Sequence, residues 1–386
     1  MEKRKIIVVT GARSEYDIMS PVLEKLQSDP TIDLGLVVTG SHLSEKFGNT
    51  IKFIEQDGYR IDAKIQNLVE SNEKIARIIS LGNQIKPLAE AFSNLKPDLV
   101  LVTGDREEAI SVTMTAAFMD IPVAHIAGGD IAKDGNIDNS IRYAASKFAH
   151  IHFTLLEEHS KTLLKLGEDS WRIHCTGNPA LDKFIETPLM SKDEISAEIN
   201  FEIAHEDYLL VVYHPIITEF EDESIKVRNL LEALKNTGLK CIINSPNSDA
   251  GHESILEAYK EFGSNNGKFY YFKNLPRKTY VNLMRNAKCM VGNSSSGIIE
   301  APSLELPVVN TGSRQLGRHH AKNVMFTSME TAEIEKAIKF WLEDKNQAAL
   351  KGIKNPYGDG HSALKIARIL SEIKIDSTLI HKNITY

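Results

Sequence analysis

Six short stretches of this 386-residue chain set charged or hydroxylated side chains behind a β-branched run and a turn. In TGARSEYD (10–17), Arg13 stands where a helix would begin after Gly11, a natural clamp for phosphate or carboxylate. VTGDREE (102–108) repeats the design with Asp105 and Arg106. Asp105 suits a helix N-cap, and equally a proton-transfer carboxylate whose pKa is tuned by its neighbours. The densest stretch is HIAGGDIAKDGNIDNSIR (125–142), with His125, Asp130, Asp138 and Arg142. Asp138 and Arg142 are spaced i,i+4 as in a surface ion pair, and His125 fits a satisfied core histidine as well as a site residue. VVYHP (211–215) ends in His214, which Pro215 turns away from the strand. GNSSSGIIEAP (292–302) places Ser294, Ser295 and Ser296 at a helix start. Hydroxyls and N–H groups there suit an anion, N-capping being the plainer reading. Glu300 is placed to accept hydrogen bonds from two ribose hydroxyls. Arg314 and Arg318, in TGSRQLGRH (311–319), are cations suited to a diphosphate.

The elements that position these residues alternate. Apolar runs at 5–11, 32–40, 98–106 and 122–130 are each followed by an amphipathic stretch, with helices expected over about 18–27, 44–56 and 72–94. The runs are near-continuous, as in parallel strands buried on two faces, and strand–helix alternation implies right-handed crossovers. The pattern pauses over 180–206 and restarts at 207–215, 239–247, 268–272, 288–294 and 306–312. The expectation is an α/β chain of two doubly wound parallel-sheet domains with a cleft between them: 1–180, 181–360, and a helix in 361–386 packing back on the first. Every motif above then falls at a strand's carboxyl end.

Bulk properties exclude other classes. At this length two cores are the default. With 42% hydrophobic and 25% charged residues the composition is globular, and a net charge of −7 argues against a nucleic-acid-coating surface. No apolar run reaches the roughly 20 residues of a membrane span. The N-terminus reads as a first strand and not as a signal peptide. Cys175, Cys241 and Cys289 lack metal or disulfide spacing, so no metal is expected and a reducing cytoplasm fits. Neither GxGxxG after a first strand nor GxxxxGK[ST] occurs, which disfavours a nicotinamide dehydrogenase or a P-loop NTPase.

Taken in order, GARSEYD, VTGDR, HIAGGD with IDNSIR, HP, SPNSDAG (245–251), GNSSSGIIEAP and NTGSRQLGR span residues 10–318 and resemble the UDP-N-acetylglucosamine 2-epimerases. RSEY, where non-hydrolysing relatives carry RPE, is similar to the hydrolysing branch. The resemblance implies a GT-B fold, two Rossmann-like domains with the active site in the cleft, no cofactor, and a homodimer or homotetramer. It implies a UDP-sugar as substrate, opened by anti-elimination of UDP to a 2-acetamidoglucal and then hydrated. Asp105, Asp130, Asp138, Arg142 and His214 would act at the sugar, the carboxylates moving protons. Arg13, Arg106, His125, Asn247, Ser294, Ser295, Ser296, Glu300 and Arg314 would bind substrate and UDP, with Asp249 near the ligand. Two positions depart from the family: Ala127 stands where a proton-transferring glutamate is usual, and Asp17 follows the RSEY tyrosine. Substrates implied are UDP-N-acetylglucosamine or, alternatively, UDP-N,N′-diacetylbacillosamine. A glycosyltransferase and an inactive nucleotide-sugar binder are the rival readings.

Overall fold

The computed structural model describes residues 3–71, 73–131, 137–215, 223–246, 252–263, 267–273 and 275–385. The chain divides into two compact units, Met1–Lys183 with Tyr357–Tyr386, and Phe184–Pro356.

The first unit is built on seven strands: β1 (Arg4–Thr10), β2 (Ile32–Thr39), β3 (Ile61–Ile65), β4 (Leu99–Thr103), β5 (Val123–Ile126), β6 (Ile151–Thr154) and β7 (Ile173–Cys175). They run in the order β3-β2-β1-β4-β5-β6-β7, and every pairing is parallel. Successive residues of β1 face opposite cores. Ile6 and Val8 pack with Met19 and Leu23 of the helix Arg13–Ser28. Ile7 and Val9 pack with Leu88, Phe92, Val112 and Ala116. Two covered faces are why the central strands are apolar throughout. The helix Ser362–Glu372 adds Ala363, Ile366, Ala367 and Leu370 to the first of these cores. Its first turn is fixed by buried Asp182, whose carboxylate accepts from the N–H groups of Ser362 (3.1 Å) and Ala363 (2.7 Å).

The second unit repeats the plan with β8 (Tyr208–Val212), β9 (Lys240–Asn244), β10 (Phe269–Phe272), β11 (Cys289–Gly292), β12 (Val308–Thr311) and β13 (Val324–Thr327). All pairings are again parallel, in the order β10-β9-β8-β11-β12-β13. In each sheet the order reverses between the first and fourth strands, β1 beside β4 and β8 beside β11, the positions where doubly wound sheets bind ligands. The TGARSEYD, VTGDREE, VVYHP and GNSSSG stretches leave these four strands.

Several local expectations are corrected. The helix expected over 18–27 begins at Arg13. The one expected over 44–56 is a 3₁₀ turn, Gly40–Leu43, and a short helix, Ile51–Gln56. Gly48 and Asn49 lie between them at φ 86° and 45°, conformations that interrupt a helix. Strands β3, β6, β7 and β13 carry no long apolar run. Three of them are sheet edges and half-exposed, and β6 buries a histidine.

Candidate active site

In the first unit, Asp105 closes the turn after β4 and Arg142 rises from the helix Ile137–Phe148. Their side chains form a direct ion pair, with the Arg142 side chain 8% exposed and Asp105 29%. The second Nη of Arg142 donates to the main-chain carbonyl of Asp130 at 2.9 Å. One planar fork therefore ties the turn after β4 to the turn after β5. Burial raises the Asp105 carboxyl above its ordinary 3.8, with Arg142 opposing the rise. Asp105 is not the helix cap: that position belongs to exposed Arg106, which makes no side-chain capping bond.

The i,i+4 pairing of Asp138 with Arg142 does not form. Asp138 pairs with Arg77 at 3.2 Å, because the Arg142 guanidinium is drawn to Asp105 and the Asp130 carbonyl. Asp138, Arg77, Arg106, Glu107 and Glu108 line a cavity of about 350 Å³ whose apolar wall includes Phe47, Leu68 and Val69.

Asp130 is held by His159, whose Nε2 lies 3.2 Å from its carboxylate. Burial alone would raise its pKa, but the hydrogen bond and charge of His159, with Arg142 nearby, bring it to about 2. A carboxylate held that acidic, with His159 on its oxygen, is a weaker proton acceptor than an ordinary aspartate. His125 is fully buried, its Nε2 donating to the Gly104 carbonyl at 2.7 Å and its Nδ1 lying 3.4 Å from the Ser146 hydroxyl. Burial lowers its pKa to about 4. It is the satisfied core histidine, and it supports the Gly104 turn instead of facing a ligand. Ala127, where the family resemblance leads one to expect a glutamate, sits at φ 70° with its methyl against the core. Arg13 is exposed, 3.7 Å from Asp17 and 4.5 Å over the ring of Phe53. The departure at Asp17 thus gives Arg13 an ion-pair partner.

In the second unit the organiser is Asn293, a residue that sequence reasoning passed over inside GNSSSG. It is fully buried. Its Oδ1 accepts from the His214 N–H at 2.8 Å and its Nδ2 donates to the His214 carbonyl at 2.7 Å. Its own carbonyl accepts from Arg314 (3.2 Å) and Gln315 (3.1 Å). One residue therefore ties together the ends of β8, β11 and β12, and with them His214, the serines and Arg314. The Ser294 hydroxyl accepts from the Ser296 N–H at 3.3 Å, and Ser295, at the N-cap position, makes no capping bond. The helix expected after the serines is one turn, Ser296–Ile299, followed by a 3₁₀ turn, Ala301–Leu304, with Pro302 as its second residue. A long helix dipole is absent here, so an anion would depend on hydroxyls, N–H groups and Arg314. Ser296 also hydrogen-bonds the Glu300 carboxyl and the half-buried Tyr280 phenol, and burial raises the Glu300 pKa. Asn247 and Asp249 lie outside the described residues.

Among the described residues no His/Cys/Asp/Glu cluster has the makings of a metal site, and no helix is long and apolar enough to cross a membrane.

A family model described as UDP-N-acetylglucosamine 2-epimerase matches residues 24–371. The chain is 33% identical to the UDP-N,N′-diacetylbacillosamine 2-epimerase (hydrolyzing) of Legionella pneumophila, over 98% of each chain. It is 34% identical to the GDP/UDP-N,N′-diacetylbacillosamine 2-epimerase (hydrolyzing) of Campylobacter jejuni, over 99% of each. Among solved structures, the UDP-GlcNAc 2-epimerase of Neisseria meningitidis bound to UDP-GlcNAc matches with a TM-score of 0.76 and 22% identity. That match covers 95% of this chain and 99% of that one.

Proposed function

We propose, from the premise that the chain belongs to the UDP-N-acetylglucosamine 2-epimerase family, that it is a hydrolysing 2-epimerase of a UDP-linked 2-acetamido sugar. The C2 proton is taken up by a carboxylate as the C1–O bond to UDP breaks, leaving a 2-acetamidoglucal and UDP. Water then adds its oxygen at C1, and C2 receives a proton on the opposite face. The free product is the C2-inverted sugar.

The observation that carries this reading is the Asp105–Arg142 pair at the end of β4, beside the cavity that Arg106 and Asp138 line. Abstraction at C2 needs a carboxylate more basic than usual, and burial raises Asp105 in that direction. Asp138 is the second proton carrier in this scheme, while Asp130 holds His159 and Arg142. Arg106 and Arg142 supply positive charge at the sugar. In the second unit, Ser294, Ser295, Ser296 and Arg314 stabilise the departing diphosphate, and in the first unit Arg13 is a further cation of the type that binds phosphate. Glu300 takes the ribose hydroxyls, and His214, held by Asn293, faces the diphosphate or sugar.

The sugar is UDP-N-acetylglucosamine in the first reading. A second reading, UDP-N,N′-diacetylbacillosamine, is favoured by the names of the two relatives 33% and 34% identical to the chain. The experiment incubates the protein with each UDP-sugar alone in heavy water and follows it by proton NMR. Free UDP and a C2-inverted free sugar carrying deuterium at C2 are expected, and the faster substrate identifies the sugar. UDP release that strictly requires an added acceptor would overturn the reading in favour of a glycosyltransferase.

A further inference from the structure

Two carboxyl groups have no part in this scheme. Glu15 lies in the first turn of the helix that leaves β1, and Glu108 in the first turn of Glu107–Phe118, the helix that leaves β4. They are 5% and 8% exposed. Glu15 Oε2 accepts from the Gly11 N–H at 2.8 Å, and its Oε1 is buried with no partner. A methyl group built on Gly11 would stand 2.2 Å from Glu108 Oε1, and one on Gly40 would stand 2.6 Å from the same atom. Both carboxyls therefore converge on Gly11, where β1 ends, and Glu108 also abuts the turn that ends β2.

Among the described residues neither carboxyl forms an ion pair. The cations that act on them do so at a distance: Arg106 on both, Arg77 on Glu108. Glu107 adds a negative charge near Glu108. His42, on the Gly40–Leu43 turn, is bonded to Thr10 (3.1 Å) and Thr50 (2.7 Å), and burial holds it neutral near pH 7. Two carboxylates deprived of water and of a contacting cation cannot both stay ionised, and such a couple titrates as a unit. Glu108 in turn lines the cavity with Arg106 and Asp138.

We propose that Glu15 and Glu108 are a positioning pair that holds one proton between them. The pair clamps the Gly11 and Gly40 turns behind the cavity and so keeps Arg13, Asp105 and Arg106 in place. Its effect on turnover rests on the reading of that cavity as the sugar site, whereas the shared proton does not. Burial first, and the charge of Glu108 second, push the Glu15 carboxyl up from 4.5 to about 8. A group whose folded pKa is raised contributes stability that is fully present below the unfolded value and is lost as pH rises through the folded one. The window here runs from about 4.5 to about 8.

The test compares the wild type, Glu15→Gln and Glu15→Ala between pH 5 and 9 by thermal unfolding and by turnover. Infrared titration of the wild type with Glu108→Gln as a reference follows the carboxylic-acid band. Glutamine mimics the protonated acid, accepting from the Gly11 N–H with no charge to set against Glu108. Glu15→Gln is expected to show a flatter fall of Tm with pH. It should also escape the loss of about fourfold in turnover that a group titrating near 8 imposes on the wild type between pH 6.5 and 8.5. Glu15→Ala leaves the Gly11 N–H unpartnered and should lose turnover at every pH. In the wild type a buried carboxylic-acid band should persist at pH 7, fall to about half near pH 8 and be largely lost by about pH 9, a readout that stands even where a variant fails to fold. Parallel Tm curves for wild type and Glu15→Gln, or no acid band at pH 7, would overturn the shared proton. An acid band combined with identical pH profiles of turnover would overturn the positioning role. A chain that shows the band but turns over no UDP-sugar sinks the proposed function and leaves the shared proton standing.

Discussion

At the scale of single residues, two aspartates that look alike in the sequence are set apart by their partners. Asp105 has a raised pKa because it is partly buried, and Arg142 only partly offsets this. Asp130 is brought to about 2 because His159 bonds its carboxylate. Moreover, Arg142 reaches the main chain of Asp130 and not its side chain, so that contact survives substitution. Asp105→Asn should therefore lower kcat by about 10²- to 10⁴-fold, the usual worth of a general base, with the affinity for UDP unchanged in calorimetry. Asp130→Asn should cost less than about tenfold, because it alters a support and not a proton carrier. Equal losses in the two variants would show that the electrostatic distinction is irrelevant to turnover. Glu300 gives the complementary case. If it holds ribose hydroxyls, Glu300→Ala should weaken UDP binding about 10- to 100-fold, the range for hydrogen bonds to a charged group. Isothermal titration with UDP decides this without any sugar chemistry.

At the scale of elements, the second unit depends on how closely β8 and β11 approach. Gly292 sits at φ 133°, and a Cβ there would lie 2.1 Å from the Val212 carbonyl oxygen. An alanine must push the strands apart at the point where Asn293 binds His214. Gly292→Ala should therefore destabilise by more than about 2 kcal/mol and weaken UDP binding as well. Gly238→Ala is the control: it too has positive φ, at 69°, but a Cβ there meets nothing within 4 Å. It should cost only about 1 kcal/mol and leave UDP binding intact. Chemical denaturation and calorimetry separate the two. What the sequence made legible follows the same division. The central strands announced themselves, because burial on both faces demands unbroken apolar runs such as KIIVV and DLVLV. The strands β3, β7 and β13 did not, since half-exposed edges tolerate polar residues. Turn motifs marked strand ends, but which side chains meet there depends on strand order. The sequence offered Asp138 as the neighbour of Arg142, whereas the parallel register of β4 and β5 brings Asp105 to it. Glu108 and Asn293 stood inside quoted motifs but could not be read from them, because the groups they meet come from the ends of other strands, and Glu15 matters only through Glu108.

At the scale of the molecule, the first unit is closed by the last residues of the chain. Arg172, 1% exposed, donates to the carbonyls of Leu379 (2.7 Å), Thr378 (2.8 Å) and His381 (3.0 Å) and to that of His150 (3.2 Å). Three of these four acceptors belong to the C-terminal segment. Lys382 lies 2.6 Å from Glu168, whose carboxylate also meets Lys147 at 2.7 Å and His152 at 3.0 Å. Burial by itself would raise the pKa of Glu168. The hydrogen bond and charge of His152, with the charges of Lys382 and Lys147, overcome it and bring the value to about 2. A depressed carboxylate contributes stability above its unfolded pKa, and that contribution is lost as pH falls through the folded value. The window therefore runs from about 4.5 down to about 2. Lys382→Met removes one partner and leaves Glu168 charged in a buried place, a change that usually costs about 3–5 kcal/mol. The expected outcome is a loss of that order at pH 7, measured by urea unfolding. The loss should shrink steadily as pH is lowered from 4.5 towards 3, because the wild type is then losing the same contribution. A loss that stayed constant across that range would mean that Lys382 stabilises the unit through its three carbonyl contacts, at Ser146, Lys147 and Ala149, and not through Glu168.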